Sequence, residues 1–409
     1  MNWKIIVLIA FTIVSIYQMV LHFIQYRSAG NETPENVKDV YDAETYQRWK
    51  KYSGEKCRLQ IFGTLISWAV TSVMLLCNVH AAVAAVFPAG VYWQLIAVLL
   101  IEQVVSAVFG AITGYMDQMV IEQKYGFNRS TMKTFVIDQI RTLVIELLLN
   151  TVLVVLLAAI HRALGDWMIL LFAAVVFVIV LLISFLYPII SRLGNKFVPL
   201  EEGELRERLT ALLTKHGYHV KAIEVMDASR RTTKLNAYFT GFGHMKTIVL
   251  YDNLINTMTP DEICAVFAHE LGHGLHKDVL KQQAMNMGNM LAMAVMAWLA
   301  VSMPQVHEAF GFSGINYGFA YVLLGSALLP FVSPLIGMAM NAYSRFAEYR
   351  ADRQAVLEGY GDALVTGLKK LAKENFAHLA PSKLLVVLEY SHPPLSERIA
   401  AINEKMKTK

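Results

Sequence analysis

The chain has 409 residues, of which 56% are hydrophobic and 17% charged, and its mean hydropathy is +0.44. This composition excludes an ordinary soluble protein and is typical of a membrane protein. The net charge of +4 forms no basic face with interleaved aromatic residues, and the three cysteines form no C-x-x-C pair, which argues against nucleic-acid binding, a disulfide framework and a thiolate metal site.

Apolar runs long enough to cross a membrane occur along the chain. A helix needs roughly 20 residues to span a hydrocarbon core of about 30 Å. The first run is longer than the apolar core of a signal peptide and no small-residue cleavage site follows it, so we predict a retained helix. The third and fourth runs contain Glu102 and Glu146. The seven predicted spans are 4–24, 61–79, 92–114, 142–161, 167–190, 283–303 and 317–340.

The distribution of Lys and Arg in the loops predicts the orientation, because cytoplasmic loops carry the excess of both. Loops 25–60 and 115–141 are rich in Lys and Arg, whereas the loop after the second run and the loop at 304–316 contain none. We therefore predict that the N-terminus lies outside and that the active site faces the cytosol. The membrane would be either the bacterial cytoplasmic membrane or that of the endoplasmic reticulum.

Four regions follow from this topology. Residues 1–190 hold spans one to five, 191–282 form a cytosolic segment, 283–340 hold spans six and seven, and 341–409 form a C-terminal cytosolic helical segment.

Within the cytosolic segment, periodicity predicts a small α+β domain. Residues 201–216 read as an amphipathic helix with acids in its first turn, and 222–226 read as a strand. Residues 236–252 read as two strands that turn at the glycines between them. A helix at about 260–276 begins after Thr259, which is followed by proline and two acids.

The stretch FAHELGHGLHKD at 267–278 lies on this last helix. In H-E-x-x-H the two histidines share one helix face, so His269 and His273 can bind one Zn²⁺ per chain. Glu270 can hold the attacking water and take its proton as general base. The pattern predicts a catalytic zinc site.

A catalytic zinc takes a third protein ligand. The extended motif would need glycine at position 276 and histidine at 279, where the chain has His276 and Val279. We predict Glu348, in SRFAEYRAD, as the third ligand. Asp352 lies on the same helical face and is predicted to accept the N–H of a ligating imidazole. His276 is interpreted as a helix-end residue, and a contribution to the site is left open.

The stretch SHPPLSERI at 391–399 offers cationic donors. A developing oxyanion needs a hydrogen-bond donor, and His392 and Arg398 are the candidates. The alternative reading is a proline turn followed by the start of a helix.

Taken in order, these stretches resemble the type I CAAX prenyl proteases, a family of seven-span membrane zinc metalloproteases. The resemblance covers nearly the whole chain and rests on IEQKYGFNRSTMKTFVIDQI, NAYFTGFGHMKTIVLYDNLI, FAHELGHGLHKD, SRFAEYRAD and SHPPLSERI. It implies an all-α polytopic membrane protein whose spans enclose a water-filled chamber, with a small zincin-like α+β domain. Such a chamber would accommodate Glu102 and Glu146.

The resemblance also implies roles for individual residues. It implies His269, His273 and Glu348 as zinc ligands, Glu270 as base, Asp352 as the partner of a ligand, and His392 and Arg398 as residues lining the site. Asn236, Ala237 and Tyr238 would lie on the edge strand along which the peptide binds by β-augmentation.

The predicted function is a membrane zinc endopeptidase that acts on peptides or proteins at the bilayer, including an isoprenylated C-terminal C-a-a-X sequence. One alternative is a quality-control protease of the HtpX kind, whose chains typically have fewer spans. Another is a transporter or scaffold with structural zinc, which Glu270 and an incomplete ligand set argue against, because structural zinc is usually closed by four residues.

Overall fold

The computed structural model describes residues 2–87, 90–190, 192, 195–240 and 245–408. Most of these residues are helical. The first ten helices are α1 (Trp3–Ser28), α2 (Ala43–Leu76), α3 (Val79–Ala85), α4 (Val91–Gly114), α5 (Met132–Leu164), α6 (Met168–Ile190), α7 (Glu204–Lys215), α8 (Asp252–Thr257), α9 (Pro260–Leu275) and α10 (Asp278–Ser302). The others are α11 (Pro304–Ala309), α12 (Tyr317–Leu323), α13 (Leu329–Leu357), α14 (Gly361–Glu374), α15 (Lys383–Glu389) and α16 (Leu395–Lys407).

Among the described residues, six helical segments are long and apolar enough to cross a membrane. One of them, Met132–Ile183, contains both α5 and most of α6, which are separated by a 3₁₀ turn at Gly165–Trp167. The turn needs φ of +55° at Gly165, a conformation that glycine adopts without steric cost. The seven predicted spans thus correspond to six segments because the fourth and fifth spans are joined in one.

The region predicted as loop 25–60 is largely helical in its second half, because α2 begins at Ala43. Asp42 caps this helix by accepting a hydrogen bond from the backbone N–H of Thr45. Trp49 is buried in a cluster that includes Ala372 and Ile399. The helix therefore begins well before its apolar run, and residues of the C-terminal region cover this first part, which the local sequence does not show.

The region predicted as loop 115–141 is also partly helical. α4 continues as a π-helical segment at Tyr115–Glu122, and α5 begins after Thr131, whose hydroxyl accepts a hydrogen bond from the N–H of Thr134.

The two acidic residues of the predicted spans have different surroundings. The carboxylate of Glu102 lies 2.9 Å from Nε2 of buried His80. Glu146 is exposed on α5, and Val144 and Leu148, on the opposite side of that helix, are exposed as well. A helix that exposes a carboxylate on one side and apolar residues on the other fits a position between lipid and a water-filled cavity. The enclosed chamber itself stays a prediction.

The polar part of the chain carries a four-stranded sheet of order β1-β2-β4-β3. The strands are β1 (Phe197–Pro199), β2 (His219–Met226), β3 (Ala237–Thr240) and β4 (Met245–Tyr251). β1 pairs antiparallel with β2, β2 pairs parallel with β4, and β3 pairs antiparallel with β4. The strand β1 was not predicted, and the glycine turn predicted between β3 and β4 lies outside the described residues.

One hydrophobic core joins the sheet to the helices that carry the histidines and Glu348. It includes Ile248 and Leu250 of β4, Phe267 and Leu271 of α9, and Ala355 of α13. α9 is therefore fixed between the sheet and α13.

Candidate metal centre

The start of α9 explains why its histidines are presented in a regular helix. Thr259 and Glu262 form a reciprocal capping box, and Pro260 occupies the first turn. His269 and His273 lie one turn apart near the end of this helix, with their ring centroids separated by 4.9 Å.

Three side chains converge on one point. Nε2 of His269 lies 3.5 Å from Oε2 of Glu348, and Nε2 of His273 lies 3.4 Å from Oε1 of the same carboxylate. One ligand atom from each residue can be chosen so that all three lie within 4.8 Å of one another. This group could hold a metal ion.

Close packing of α9 against α13 brings the three residues together. A Cβ added at Gly272 would lie 2.8 Å from the backbone Cα of Ala351 and 3.0 Å from Cβ of Gln354. Real Cβ atoms do not approach backbone so closely, so the glycine within the H-E-x-x-H motif allows Glu348 to reach the histidines.

Each histidine is oriented through its other ring nitrogen. Nδ1 of His269 lies 2.8 Å from Oδ1 of Asp352, and Nδ1 of His273 lies 3.0 Å from Oδ2 of Asp278. With Nδ1 engaged by a carboxylate, Nε2 of each ring is directed toward Glu348 and is available to a metal.

Asp278 is the residue that sequence reasoning missed. It lies five positions after His273, and the turn at Lys277, where φ is +56°, leads the chain from α9 into α10. Tyr343 donates a hydrogen bond to its Oδ1 at 2.8 Å, and Arg350 donates a second. An acid five positions after the second histidine is the signal in the sequence that could have found it.

Arg398 is buried beside the three candidate metal ligands. Its guanidinium forms two hydrogen bonds with Asp352, of 2.9 Å and 2.6 Å, and its Nη1 is 3.2 Å from Oε2 of Glu348. Burial lowers the pKa of Arg398, but the charge of Asp352 and the hydrogen bonds to it outweigh burial and raise that pKa overall. This guanidinium therefore stays charged.

His392 and Glu270 are more accessible than Arg398. Nε2 of His392 lies 3.3 Å from Oε1 of Glu348, its Nδ1 lies 2.9 Å from the Ser391 hydroxyl, and 63% of its side chain is exposed. Glu270 is partly exposed. His276 is the C-cap of α9 and is also partly exposed; burial, followed by the charge of Arg350, lowers its pKa.

The donor set fits a metal ion such as zinc. Two imidazole nitrogens and a carboxylate oxygen are one of the ligand sets that hold catalytic zinc in proteins. Oε2 of Glu348 is buried and accepts no hydrogen bond, although Nη1 of Arg398 is near it. The charge of Arg398 partly compensates this oxygen, and a cation between the two histidines and Glu348 would give it a direct partner.

The residues predicted to bind substrate lie on a separate element. Asn236 is exposed immediately before β3, and Ala237 and Tyr238 are its first two residues. β3 is an edge strand, since its only partner among the described strands is β4.

Two family profiles match the chain. The profile described as "Peptidase family M48" matches residues 199–406, and the one described as "CAAX prenyl protease N-terminal, five membrane helices" matches residues 22–196.

Full-length relatives give the same assignment. The chain is 30% identical to the CAAX prenyl protease 1 homolog of Dictyostelium discoideum, with 99% of this chain and 98% of that one covered. It is 29% identical to the homolog of Oryza sativa subsp. japonica, with 95% and 94% covered.

A solved structure has the same fold. The crystal structure of S. mikatae Ste24p superposes with a TM-score of 0.89 at 26% identity and covers 98% of this chain and 99% of that one. The chain therefore belongs to peptidase family M48 and is a multi-pass membrane metallopeptidase.

Proposed function

We propose that this chain is a zinc endopeptidase that cleaves peptides at the membrane surface, including the C-terminal tripeptide of isoprenylated C-a-a-X proteins. The observation that carries the zinc assignment is the convergence of His269, His273 and Glu348, whose ligand atoms lie within 4.8 Å of one another. The relatives named CAAX prenyl protease 1, which align over nearly the whole chain, support the substrate class.

The residues have distinct roles in this proposal. A bound zinc ion would act as a Lewis acid toward the scissile carbonyl and would lower the pKa of an attacking water. Glu270 takes the proton of that water and delivers it to the leaving amine. His392, which is exposed beside Glu348, donates a hydrogen bond to the developing oxyanion.

Arg398 acts differently from His392, because its guanidinium is bound to Asp352. It holds the Asp352 carboxylate against Nδ1 of His269, and its Nη1 adds positive charge near Glu348. The sequence offered both residues as oxyanion donors; on this geometry we assign that role to His392 and a positioning role to Arg398.

The edge strand β3 supplies the peptide-binding surface. An extended peptide can add to the free edge of a sheet through backbone hydrogen bonds. Asn236, Ala237 and Tyr238 begin this edge, and the core shared by β4 and α9 holds the edge in a fixed relation to the histidines.

The test uses purified protein in liposomes with two peptides of the same sequence, one farnesylated at the C-a-a-X cysteine and one unmodified. Zinc-loaded wild type should release the tripeptide from the farnesylated peptide, and Glu270→Gln should keep zinc without cleavage. Equal cleavage of both peptides would favour general membrane proteolysis. No cleavage by zinc-loaded wild type, with chelation lowering only the Tm, would replace the proposal with structural zinc.

We also propose that the metal site faces the cytosol, which the distribution of Lys and Arg supports. Glu308 and Glu404 are exposed and lie on opposite sides in this topology. In a Cys77→Ser background, which removes the exposed native thiol, Glu308→Cys should react with a membrane-impermeant maleimide in sealed cells. Glu404→Cys should react only after permeabilisation, and the reverse pattern would invert the topology.

A further inference from the structure

Residues 231–236 lead directly into the edge strand β3, and side chains from other elements hold their backbone; we call them the lead-in segment. Leu235 donates its N–H to Oδ1 of Asn375 at 2.9 Å, and Nδ2 of Asn375 donates to the Leu235 carbonyl at 3.2 Å. Nδ2 of Asn253 donates to the carbonyls of Lys234, at 2.7 Å, and Thr232, at 3.3 Å. The segment is thus tied to the residue that ends α14 and to α8 before β3 begins.

A charged group ties the same segment to the membrane helices. Glu122, the last residue of the π-helical segment after α4, is buried. Its Oε1 accepts hydrogen bonds from the Tyr52 hydroxyl at 2.5 Å, Nζ of Lys56 at 2.8 Å and Nζ of Lys234 at 3.2 Å. Two of these donors come from α2, and Lys234 is the donor from the lead-in segment.

Backbone hydrogen bonds reinforce this attachment. Arg129 donates its N–H to the Arg231 carbonyl at 3.0 Å, and Thr233 donates its N–H to the Phe127 carbonyl at 3.2 Å. Nη1 of Arg231 lies 2.6 Å from Oδ2 of Asp138 on α5. The loop between α4 and α5 therefore pairs with the lead-in segment.

The attachment matters because of the direction of the backbone groups in β3. The N–H of Tyr251 donates to the Asn236 carbonyl, and Ala237 is registered with Leu250. In an antiparallel pair, residues alternate between bonded and non-bonded positions. The backbone groups of Ala237 and Phe239 are consequently directed away from β4, to the side on which a peptide would add. The N–H of Ala237 donates there to Oδ1 of Asn236 at 2.9 Å, a bond that a peptide carbonyl would replace.

A shift of β3 along its axis would change which bond of a bound peptide lies next to His269, His273 and Glu348. Side chains in a strand repeat every second residue, so a slip by one residue also turns every bound side chain to the opposite face. The short strand β3 has four residues and one partner among the described strands, so its own pairing gives it little resistance to such a slip.

We propose that Lys234 and Asn375 are positioning residues that hold β3 in the register required for peptide binding, and that Glu122 at the end of the π-helical segment anchors Lys234. Through this anchor the π-helical segment that continues α4 helps to determine which peptide bond is cut. The inference rests on the proposed binding of peptide at β3.

Lys56 provides a matched control. It also contacts Oε1 of Glu122, and it pairs with Asp117 at 2.9 Å, but it belongs to α2 and, within the part of the chain that the structure describes, makes no direct hydrogen bond to the lead-in segment. If the contacts of Glu122 served only to attach the sheet region to the membrane helices, Lys56→Met and Lys234→Met should change peptide affinity equally.

The binding test uses zinc-loaded Glu270→Gln protein and a peptide of the C-a-a-X sequence that stays uncleaved. Lys234→Met and Asn375→Asp should each raise the Kd by about 3- to 30-fold, the loss expected for one or two hydrogen bonds. Lys234→Arg should restore affinity, and Lys56→Met should leave the Kd within about twofold of the parent, since it breaks no bond to the segment. Equal effects of Lys56→Met and Lys234→Met, or none from either, would overturn the inference.

Active proteins give a second readout. In the Lys234→Met enzyme the KM should rise while kcat changes less, and mass spectrometry of a longer peptide should show a second cleavage position. If wild type cleaves the peptide, and Lys234→Met and Asn375→Asp have the same KM and the same products as wild type, the inference alone is rejected. If wild type neither binds nor cleaves the peptide, the proposed function is rejected.

Wild-type hydrogen exchange serves where a variant fails to fold. The amides of Thr233 and Leu235 should be protected before peptide is added, because each already has a fixed acceptor, and amides of β3 should gain protection when peptide binds. Rapid exchange at Thr233 and Leu235 without peptide would show that the segment is not held, and would overturn the inference.

Discussion

Nδ1 of His273 lies 3.0 Å from Oδ2 of Asp278, so the second histidine of the motif has a carboxylate partner just as His269 has Asp352. The two carboxylates come from different helices, α10 and α13, and both lie beside α9. Each removes the rotational freedom of one ring, which prepares the two Nε2 atoms for the same ion.

Asp278→Ala should weaken metal binding by about 10- to 100-fold, the usual loss when the carboxylate partner of a ligating histidine is removed. Competition with a zinc chelator measures the change. Glu404→Gln, which alters an exposed carboxylate on α16, is the control and should bind metal as wild type does. Unchanged affinity in Asp278→Ala would show that His273 needs no such partner.

The third ligand can be tested against the helix-end histidine. Glu348→Ala should lose stoichiometric zinc, as should His269→Ala and His273→Ala, because a site with two remaining ligands binds weakly. His276→Ala should retain zinc, since that residue caps the end of α9. Zinc content is measured by metal analysis after dialysis. If Glu348→Ala keeps zinc and His276→Ala loses it, His276 is the third ligand.

Gly272→Ala should destabilise the protein by about 1–3 kcal/mol, the usual cost of forcing extra volume into a packed interface. The new methyl group would meet the backbone of Ala351 at 2.8 Å, so α9 and α13 must separate and zinc content should fall too. Gly288→Ala on α10 is the matched control, because a Cβ there meets nothing within 4 Å. Equal thermal unfolding of the two variants would contradict this account.

The metal-free protein should lose stability as the pH rises from neutral to alkaline. Burial lowers the pKa of His273, but its hydrogen bonds to Glu348 and Asp278 outweigh burial and raise that pKa from 6.5 to about 9. A raised folded-state pKa means that the protonated ring contributes stability that is complete below pH 6.5 and is lost as the pH rises through about 9.

Thermal unfolding of chelated protein between pH 6.5 and 9 measures this effect. Zinc-loaded protein should show the opposite trend relative to the chelated form, because the metal needs the unprotonated ring and binds more tightly as the pH rises. A Tm of the chelated wild type that falls no further than that of His273→Gln would exclude the titration of His273 as its cause.

His392→Ala should reduce kcat by on the order of ten- to a thousandfold if its ring donates to the oxyanion. Zinc content and peptide affinity should change much less, because His392 is largely exposed and is not a ligand in our assignment. Steady-state kinetics with the farnesylated peptide separates these quantities. A large loss of zinc with little change in kcat per zinc would instead make His392 part of the metal site.

The sequence by itself determined the features that depend on neighbouring residues. The apolar runs, the capped helix that begins after Thr259, and the placement of His269 and His273 on one face all follow from local hydrogen bonding and helical periodicity. Glu348 and Asp352 could also be proposed, because the two histidines need a third ligand and these two acids share one face of a helix. The continuation of α2 back to Ala43 could not, since Trp49 is buried by residues far along the chain.

Only the tertiary structure decided how the site is assembled. The meeting of Glu348 with the two histidines depends on the close approach of α9 and α13 at Gly272, and the pairing of Asp278 with His273 depends on the turn at Lys277. The attachment of Lys234 to Glu122 likewise joins elements that are distant in sequence. Such contacts come from packing shape and burial summed over the whole core, which no local pattern of residue types contains.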